Sequence, residues 1–355
     1  MNPAYDTILS ADDETRAGLF TATAQRIGTT PQNVEKDFWV CWTLDALFNG
    51  LPEGPRLLFK GGTSLSKGFG LIRRFSEDID VTVFRDDLGE AYSVEDLQAL
   101  SGKKREKALN AIREACEAFI NGPMLENLTR IAAEASARNG IAAGQFKVTP
   151  DAKDKQTLLV QYPTATDPDP YIPKAVKIES GAKSALDPNS VRSIRPYLEQ
   201  DAPGLDLEVK NVTIVDAERT FWDKIVILHG LRHWYDSKGV LRGGGNRISR
   251  HYYDLHELMQ AELGAQAIAD SELGTDCVAH ARMFFNRPAF DLASAVPPTF
   301  ALMAERDMYD ALKQDYAAMS GMIFGTPPSF EDVMESISLL QAKVNRLPER
   351  SPAVP

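Results

Sequence analysis

The chain has 355 residues, 43% of them hydrophobic and 25% charged, the balance of a folded protein long enough for two cores. With 39 Lys and Arg against 50 Asp and Glu the net charge is −11, so a nucleic-acid partner would have to meet a local basic patch. No apolar run is long enough to span a bilayer, the N-terminus has no secretory pattern, and three scattered cysteines (Cys41, Cys116, Cys277) give neither a disulfide framework nor a CxxC zinc site. The expectation is a cytoplasmic protein without a membrane partner.

Residues 11–50 carry apolar positions at helical spacing, with Thr30-Pro31 as a helix start. After the turn at 52–55, Arg56–Lys60 reads as a short strand running into Gly61-Gly62, and Thr63–Gly70 as one or two helical turns. Asp78–Phe84 alternates and is β-branched, the pattern of a strand. Two polar helices follow over 93–140, broken near Asn121-Gly-Pro123. Strands are expected at 145–148, 157–162, 175–180 and 205–215, and helices at 217–234, 250–262, 264–285, 301–319 and 329–346. A mixed α/β half thus ends near residue 216, a helical half spans 217–346, and 347–355 reads as a disordered tail.

The chemistry concentrates in Lys60-Gly-Gly-Thr-Ser-Leu-Ser-Lys67 and Arg74-Phe-Ser-Glu-Asp-Ile-Asp80. A strand that ends at two glycines and turns into a helix presents backbone N–H groups and a positive helix end, a cradle for phosphate at Gly61, Gly62, Thr63 and Ser64. Lys67 lies one turn on. Side chains two apart on a strand share a face, so Asp78 and Asp80 converge, and Ser76 on the extended segment before them points the same way. Paired carboxylates beside a phosphate cradle suit a hard divalent cation and phosphoryl or nucleotidyl transfer. A phosphate on Ser76 would compete with an incoming triphosphate there. His229 and His233, four apart on a helix, read as packing or surface residues. Between Arg219 and Arg250 seven basic residues face two acidic ones, an excess of five around a glycine-rich stretch that suits phosphate contacts as well as it suits a solvated loop.

This order resembles the polymerase β-like nucleotidyltransferase superfamily. More narrowly, KGGTSLSK with SEDIDV looks like the AbiEii/AbiGii (MenT-like) toxin family of type IV toxin–antitoxin systems. Glu218–Lys224 is similar to that family's lysine-bearing helix, Arg250–Leu255 to its later Arg/Asp motif, and Val176–Ser180 to its third acidic strand. The resemblance implies an α/β (α+β) nucleotidyltransferase core over 1–216 and an α-helical lobe over 217–346. It implies a catalytic set of Asp78, Asp80, Glu179, Lys224 and Asp254. Mg²⁺ or Mn²⁺ would sit on Asp78, Asp80 and Glu179, with Asp206 or Glu208 as rivals for the third place. The NTP would lie on Gly61, Gly62, Thr63, Ser64, Lys67, Ser76 and Lys224. It implies as well an RNA acceptor such as a tRNA 3′ end and a cognate antitoxin. A transferase acting on a small molecule or a protein, and a non-catalytic interaction module, are the alternatives. On local grounds alone, Arg250 and Asp254 could pair at i,i+4, or Asp254 could orient Lys224.

Overall fold

The computed structural model describes residues 1–167, 174–245 and 247–348. In chain order its elements begin with α1 (Ala4–Leu9), α2 (Asp13–Ile27), α3 (Pro31–Asp45), β1 (Leu57–Lys60), α4 (Gly61–Lys67) and β2 (Asp78–Val83). Then come α5 (Val94–Ala99), α6 (Gly102–Phe119), α7 (Leu125–Asn139), β3 (Lys147–Pro150), β4 (Thr157–Gln161), β5 (Ala175–Glu179), β6 (Asn189–Ile194) and β7 (Val209–Val215). The chain closes on α8 (Ala217–Lys238), α9 (Arg250–Gln260), α10 (Glu262–Ala269), α11 (Ser271–Phe284), α12 (Asp307–Met319) and α13 (Phe330–Val344). Two compact units result. The first holds residues 1–69, 75–93 and 100–215, and the second holds 70–74, 94–99 and 216–355.

The first unit is built on one mixed sheet of order β3-β4-β5-β2-β1-β7-β6. β1 runs antiparallel to β2 and parallel to β7, while β2 runs parallel to β5. Placing β2 at the centre explains its burial on the face that carries Ile79, Val81 and Val83, each fully buried. α3 packs on β2, β5 and β7. Its aromatic residues anchor it: Trp39 stacks on Tyr162 at 5.1 Å and meets Phe146 edge-on at 5.0 Å. α3 is entered through Thr30, which accepts from the Asn33 N–H, with Pro31 at its first position, as the sequence indicates.

Three local expectations shift. α1 and the edge strand β6 appear where none is expected; β6 exposes three side chains in a row and buries only Ile194, so it lacks the alternation that marks a half-buried strand. The break near Asn121-Gly-Pro123 is a π-helical turn (Ile120–Met124) that carries the chain from α6 into α7 without a gap. The tail at 349–355 and part of the 167–170 loop lie outside the described residues.

In the second unit α8 is central, packed by α9, α10 and α11, with α13 on α9. The expected stripe of Phe221, Ile225 and Leu228 is fully buried, but so are Trp222 and, nearly so, Val226 and Leu231. A helix apolar on most of its circumference is a core helix, so a lysine on it is buried too. The three cysteines are free and buried. No described helix is long and apolar enough to cross a membrane.

Candidate active site

β1 and β2 form the frame. Their antiparallel register sets Lys60 opposite Asp80, with 3.9 Å between the ammonium and the carboxylate. The chain then turns at Gly61, whose φ of +81° lies in the left-handed region. A Cβ there would collide with the Asp80 carboxylate, lying 2.9 Å from its Cγ. Only glycine lets the backbone that starts α4 approach the Asp80 carboxylate this closely. Gly61 and Gly62 are both half-buried, so their backbone is reachable from solvent.

The hydroxyls of the expected cradle face inward. Ser64 is fully buried and donates to the Gly61 carbonyl at 2.9 Å. Thr63, 1% exposed, donates to the Asp78 carbonyl at 2.5 Å and shares a 2.7 Å hydrogen bond with the Ser76 hydroxyl. Thr63 therefore stitches the start of α4 to the start of β2, Ser64 closes the first turn of α4 on itself, and only backbone groups are left for the expected cradle. Ser76 is half-buried at that seam, on the Asp78 side. Lys67, expected to contact phosphate, is buried instead. Its ammonium pairs with Asp37 at 2.7 Å and sits 3.7 Å over the Tyr197 ring, a closed environment that leaves it structural.

Asp78 and Asp80 are half-buried on the same face of β2, as the spacing requires. Burial, then the charges of Glu77 and Glu179, push the Asp78 carboxyl up to about 6; Lys36 opposes this and Asp80 adds to it. Glu179 ends β5 in register with Asp80. Its carboxylate is taken by Lys177, and among the described residues no three or more His, Cys, Asp or Glu gather as a metal-holding group. The expected three-carboxylate set is thus two carboxylates with a third next door. The rivals Asp206 and Glu208 point elsewhere, to Arg195 at 3.2 and 3.3 Å.

Within the second unit, Lys224 and Asp254 come together as the motif order implies. Asp254 is fully buried and pairs with the Lys224 ammonium at 2.8 Å. Arg74 completes the cluster, its Nε and Nη2 donating to the two Asp254 oxygens at 2.7 and 2.9 Å. Burial alone would raise Asp254, but Arg74 and Lys224 outweigh it and hold the carboxyl well below the usual range. Burial lowers Lys224, with Asp254 opposing. Of the two local alternatives for Asp254, an i,i+4 pair with Arg250 or an orienting contact with Lys224, the structure has the second. Arg219 lies 3.5 Å from its i,i+4 neighbour Asp223 and also pairs with Asp276. His229 is a core residue: its Nδ1 accepts from the Ala301 N–H at 3.1 Å, and burial pushes its pKa down to about 4. The basic excess around 219–250 is partly neutralised, since Arg232 meets Asp236 and Glu305.

Sequence reasoning did not single out Lys60, Lys177, Arg74 or the buried pair of Lys36 with Glu77 at 2.8 Å. Lys177 was legible, since it lies two residues before Glu179 on one strand and so shares its face; Lys60, Arg74 and the Lys36–Glu77 pair meet partners far along the chain and have no local signal.

A Gly-Gly turn closed against a strand carboxylate, two acids on one strand face and a buried Lys/Asp pair are the geometry on which the comparisons bear. The family profile of the nucleotidyl transferase AbiEii toxin, type IV toxin–antitoxin system, matches residues 42–336. The chain belongs to the AbiEii family. It is accordingly a nucleotidyltransferase toxin of a type IV system, with an NTP as substrate and an antitoxin as partner. Among solved structures, MenT4, a nucleotidyltransferase toxin from Mycobacterium tuberculosis H37Rv, has the same fold: TM-score 0.51 at 16% identity, covering 94% of this AbiEii chain and 90% of MenT4. A search of curated proteins finds no match.

Proposed function

We propose that this AbiEii protein moves a nucleoside monophosphate from an NTP to a hydroxyl of an RNA acceptor, a tRNA 3′ end, releasing pyrophosphate and so blocking translation. The observation that carries the reading is the contact of the Gly61 backbone with the Asp80 carboxylate, beside an Asp78 carboxyl raised to about 6. It brings phosphate-binding N–H groups and cation-binding oxygens within one step of each other.

Two half-buried carboxylates fit Mg²⁺ or Mn²⁺, ions that take one or two protein carboxylates and complete their shell with water and substrate phosphate. Asp78 and Asp80 would hold the ion, which supplies positive charge against the triphosphate when bound. The crowding of Asp78 by Glu77 and Glu179 supports this, because a cation relieves it. The N–H groups at Gly61 and Gly62 receive the triphosphate. Asp254 orients the Lys224 ammonium within the helical unit, and Lys224 is the lysine that the transfer reaction requires. Glu179 stands beside Asp80 as the carboxylate on the acceptor side, its bond to Lys177 being what the acceptor hydroxyl must displace.

The experiment is incubation with each of four α-³²P nucleoside triphosphates and total RNA, with Mg²⁺, with Mn²⁺ and with chelator. Label should enter RNA from one or two nucleotides, only with metal, and not with the Asp80→Ala variant. Label in protein or a small alcohol instead would move the acceptor to another class. Full labelling by Asp80→Ala would overturn the site.

A further inference from the structure

One turn of α3 carries three consecutive charged residues, Glu35, Lys36 and Asp37, and none reaches solvent: they are 2%, 1% and 3% exposed. Consecutive helical side chains diverge by about 100°, so the three point to different neighbours. Glu35 accepts from the Ala165 N–H at 2.6 Å, the Thr166 N–H at 3.3 Å and the Thr166 hydroxyl, on the segment between β4 and β5. Lys36 pairs with Glu77, the residue immediately before Asp78. Asp37 pairs with Lys67, the last residue of α4, and accepts from the Tyr197 N–H at 2.7 Å.

The connection from α4 to β2 thus has both of its ends, Lys67 and Glu77, tied to adjacent residues of one rigid helix. α4 begins with the phosphate cradle and β2 with the carboxylates. Buried ion pairs give little stability beyond an apolar pair of the same shape, but they fix orientation. Fixed orientation is what transfer requires, since a misplacement of about 1 Å between reacting groups costs roughly a hundredfold.

We propose that the Glu35-Lys36-Asp37 triplet is the positioning element of the transfer site, with Lys36 and Asp37 setting the phosphate cradle against the carboxylate strand. The proposal rests on the transfer reaction above. It assigns these residues no contact with substrate; they act through Glu77 and Lys67.

The test uses the full chain and two neutral double variants of similar volume, Lys36→Met with Glu77→Gln and Asp37→Asn with Lys67→Met, plus the charge swap Lys36→Glu with Glu77→Lys. Folding is read by circular dichroism and thermal unfolding. For the folded neutral variants, kcat at saturating NTP and Mg²⁺ should fall at least about tenfold while KM for NTP moves less than about threefold, the signature of lost alignment and not of lost binding. The charge swap should bring kcat back to within about threefold of the parent, because it restores the tie. A purely structural pair would leave kcat of a folded neutral variant unchanged, and that result overturns the proposal. So does a folded charge swap with kcat as low as the neutral variants. Hydrogen exchange of residues 61–80 is a second readout that needs no activity. It should quicken about tenfold in the neutral variants, and parent-like protection refutes the positioning. A parent chain that transfers nothing refutes the reaction, and the exchange result then still decides the positioning.

Discussion

Asp78 is the side chain whose removal should strengthen the protein that needs it. Its carboxyl is carried from an ordinary 3.8 to about 6 by burial and by Glu77, Glu179 and Asp80. At 1.36 kcal/mol per pH unit, that is roughly 3 kcal/mol between its two protonation states, with the opposing charge of Lys36 already counted, and an upper figure because solvent screens part of it. The folded pKa lies above the unfolded one, so the folded chain holds the extra proton between about pH 4 and 6, and metal-free stability falls as pH rises through that window. Above it the whole penalty stands. Asp78→Asn keeps the shape and drops the charge. At pH 7.5 with chelator it should raise the unfolding free energy of the sheet unit by about 2–3 kcal/mol, a midpoint shift of roughly 5–10 °C, and at pH 4 by close to nothing. The assay is thermal or urea unfolding of parent and variant at pH 4, 5, 6 and 7.5 in chelator, repeated with millimolar Mg²⁺. Mg²⁺ should stabilise the parent and leave the variant unmoved. A variant equal to or weaker than its parent at pH 7.5 would mean that Asp78 carries no stored repulsion, and the electrostatic argument for a cation there would fail.

Gly61→Ala forces a Cβ onto the Asp80 carboxylate and a side chain into left-handed backbone; it should cost about 1–3 kcal/mol and abolish NTP binding, checked by unfolding and calorimetric titration. Asp254→Ala leaves Arg74 and Lys224 buried without their shared carboxylate, so it should destabilise the helical unit by about 3–5 kcal/mol. Lys224→Met leaves Asp254 still paired with Arg74; it should stay folded and lose transfer, and a folded, fully active Lys224→Met would remove that lysine from the reaction. Ser76→Glu sets a carboxylate beside Thr63 and Asp78 and should weaken NTP affinity at saturating Mg²⁺ by about tenfold or more, as would phosphorylation, whereas Ser76→Ala retains transfer. Equal affinity of the Glu variant would place Ser76 outside the site.

What could be read from the sequence was what is local. The strand–Gly-Gly–helix–strand order with Asp78 and Asp80 two apart fixed a face, and the structure keeps it. The Lys224 and Asp254 motifs were legible by resemblance, and their meeting is a matter of geometry that the chain order does not contain. The errors are errors of direction. Thr63, Ser64 and Lys67 sit where a phosphate loop has its donors, yet they turn inward because Asp78, Gly61 and Asp37 offer them buried partners. The run Glu35-Lys36-Asp37 reads on any helix as a solvated face. Its burial depends on Glu77, Lys67 and the 165–166 backbone, none of which is within reach along the chain.

The helical unit is discontinuous: it takes residues 70–74 and 94–99 from the early chain and waits for the rest from 216 on. Arg74 is therefore synthesised 180 residues ahead of Asp254. At about 5–20 residues per second, a ribosome needs roughly 9–36 s to cover that interval, and Asp254 then has to clear the exit tunnel. Throughout that time the early segment of the helical unit waits for the Asp254 carboxylate, so in a nascent or truncated chain this unit stays short of its finished geometry until most of the message has been read.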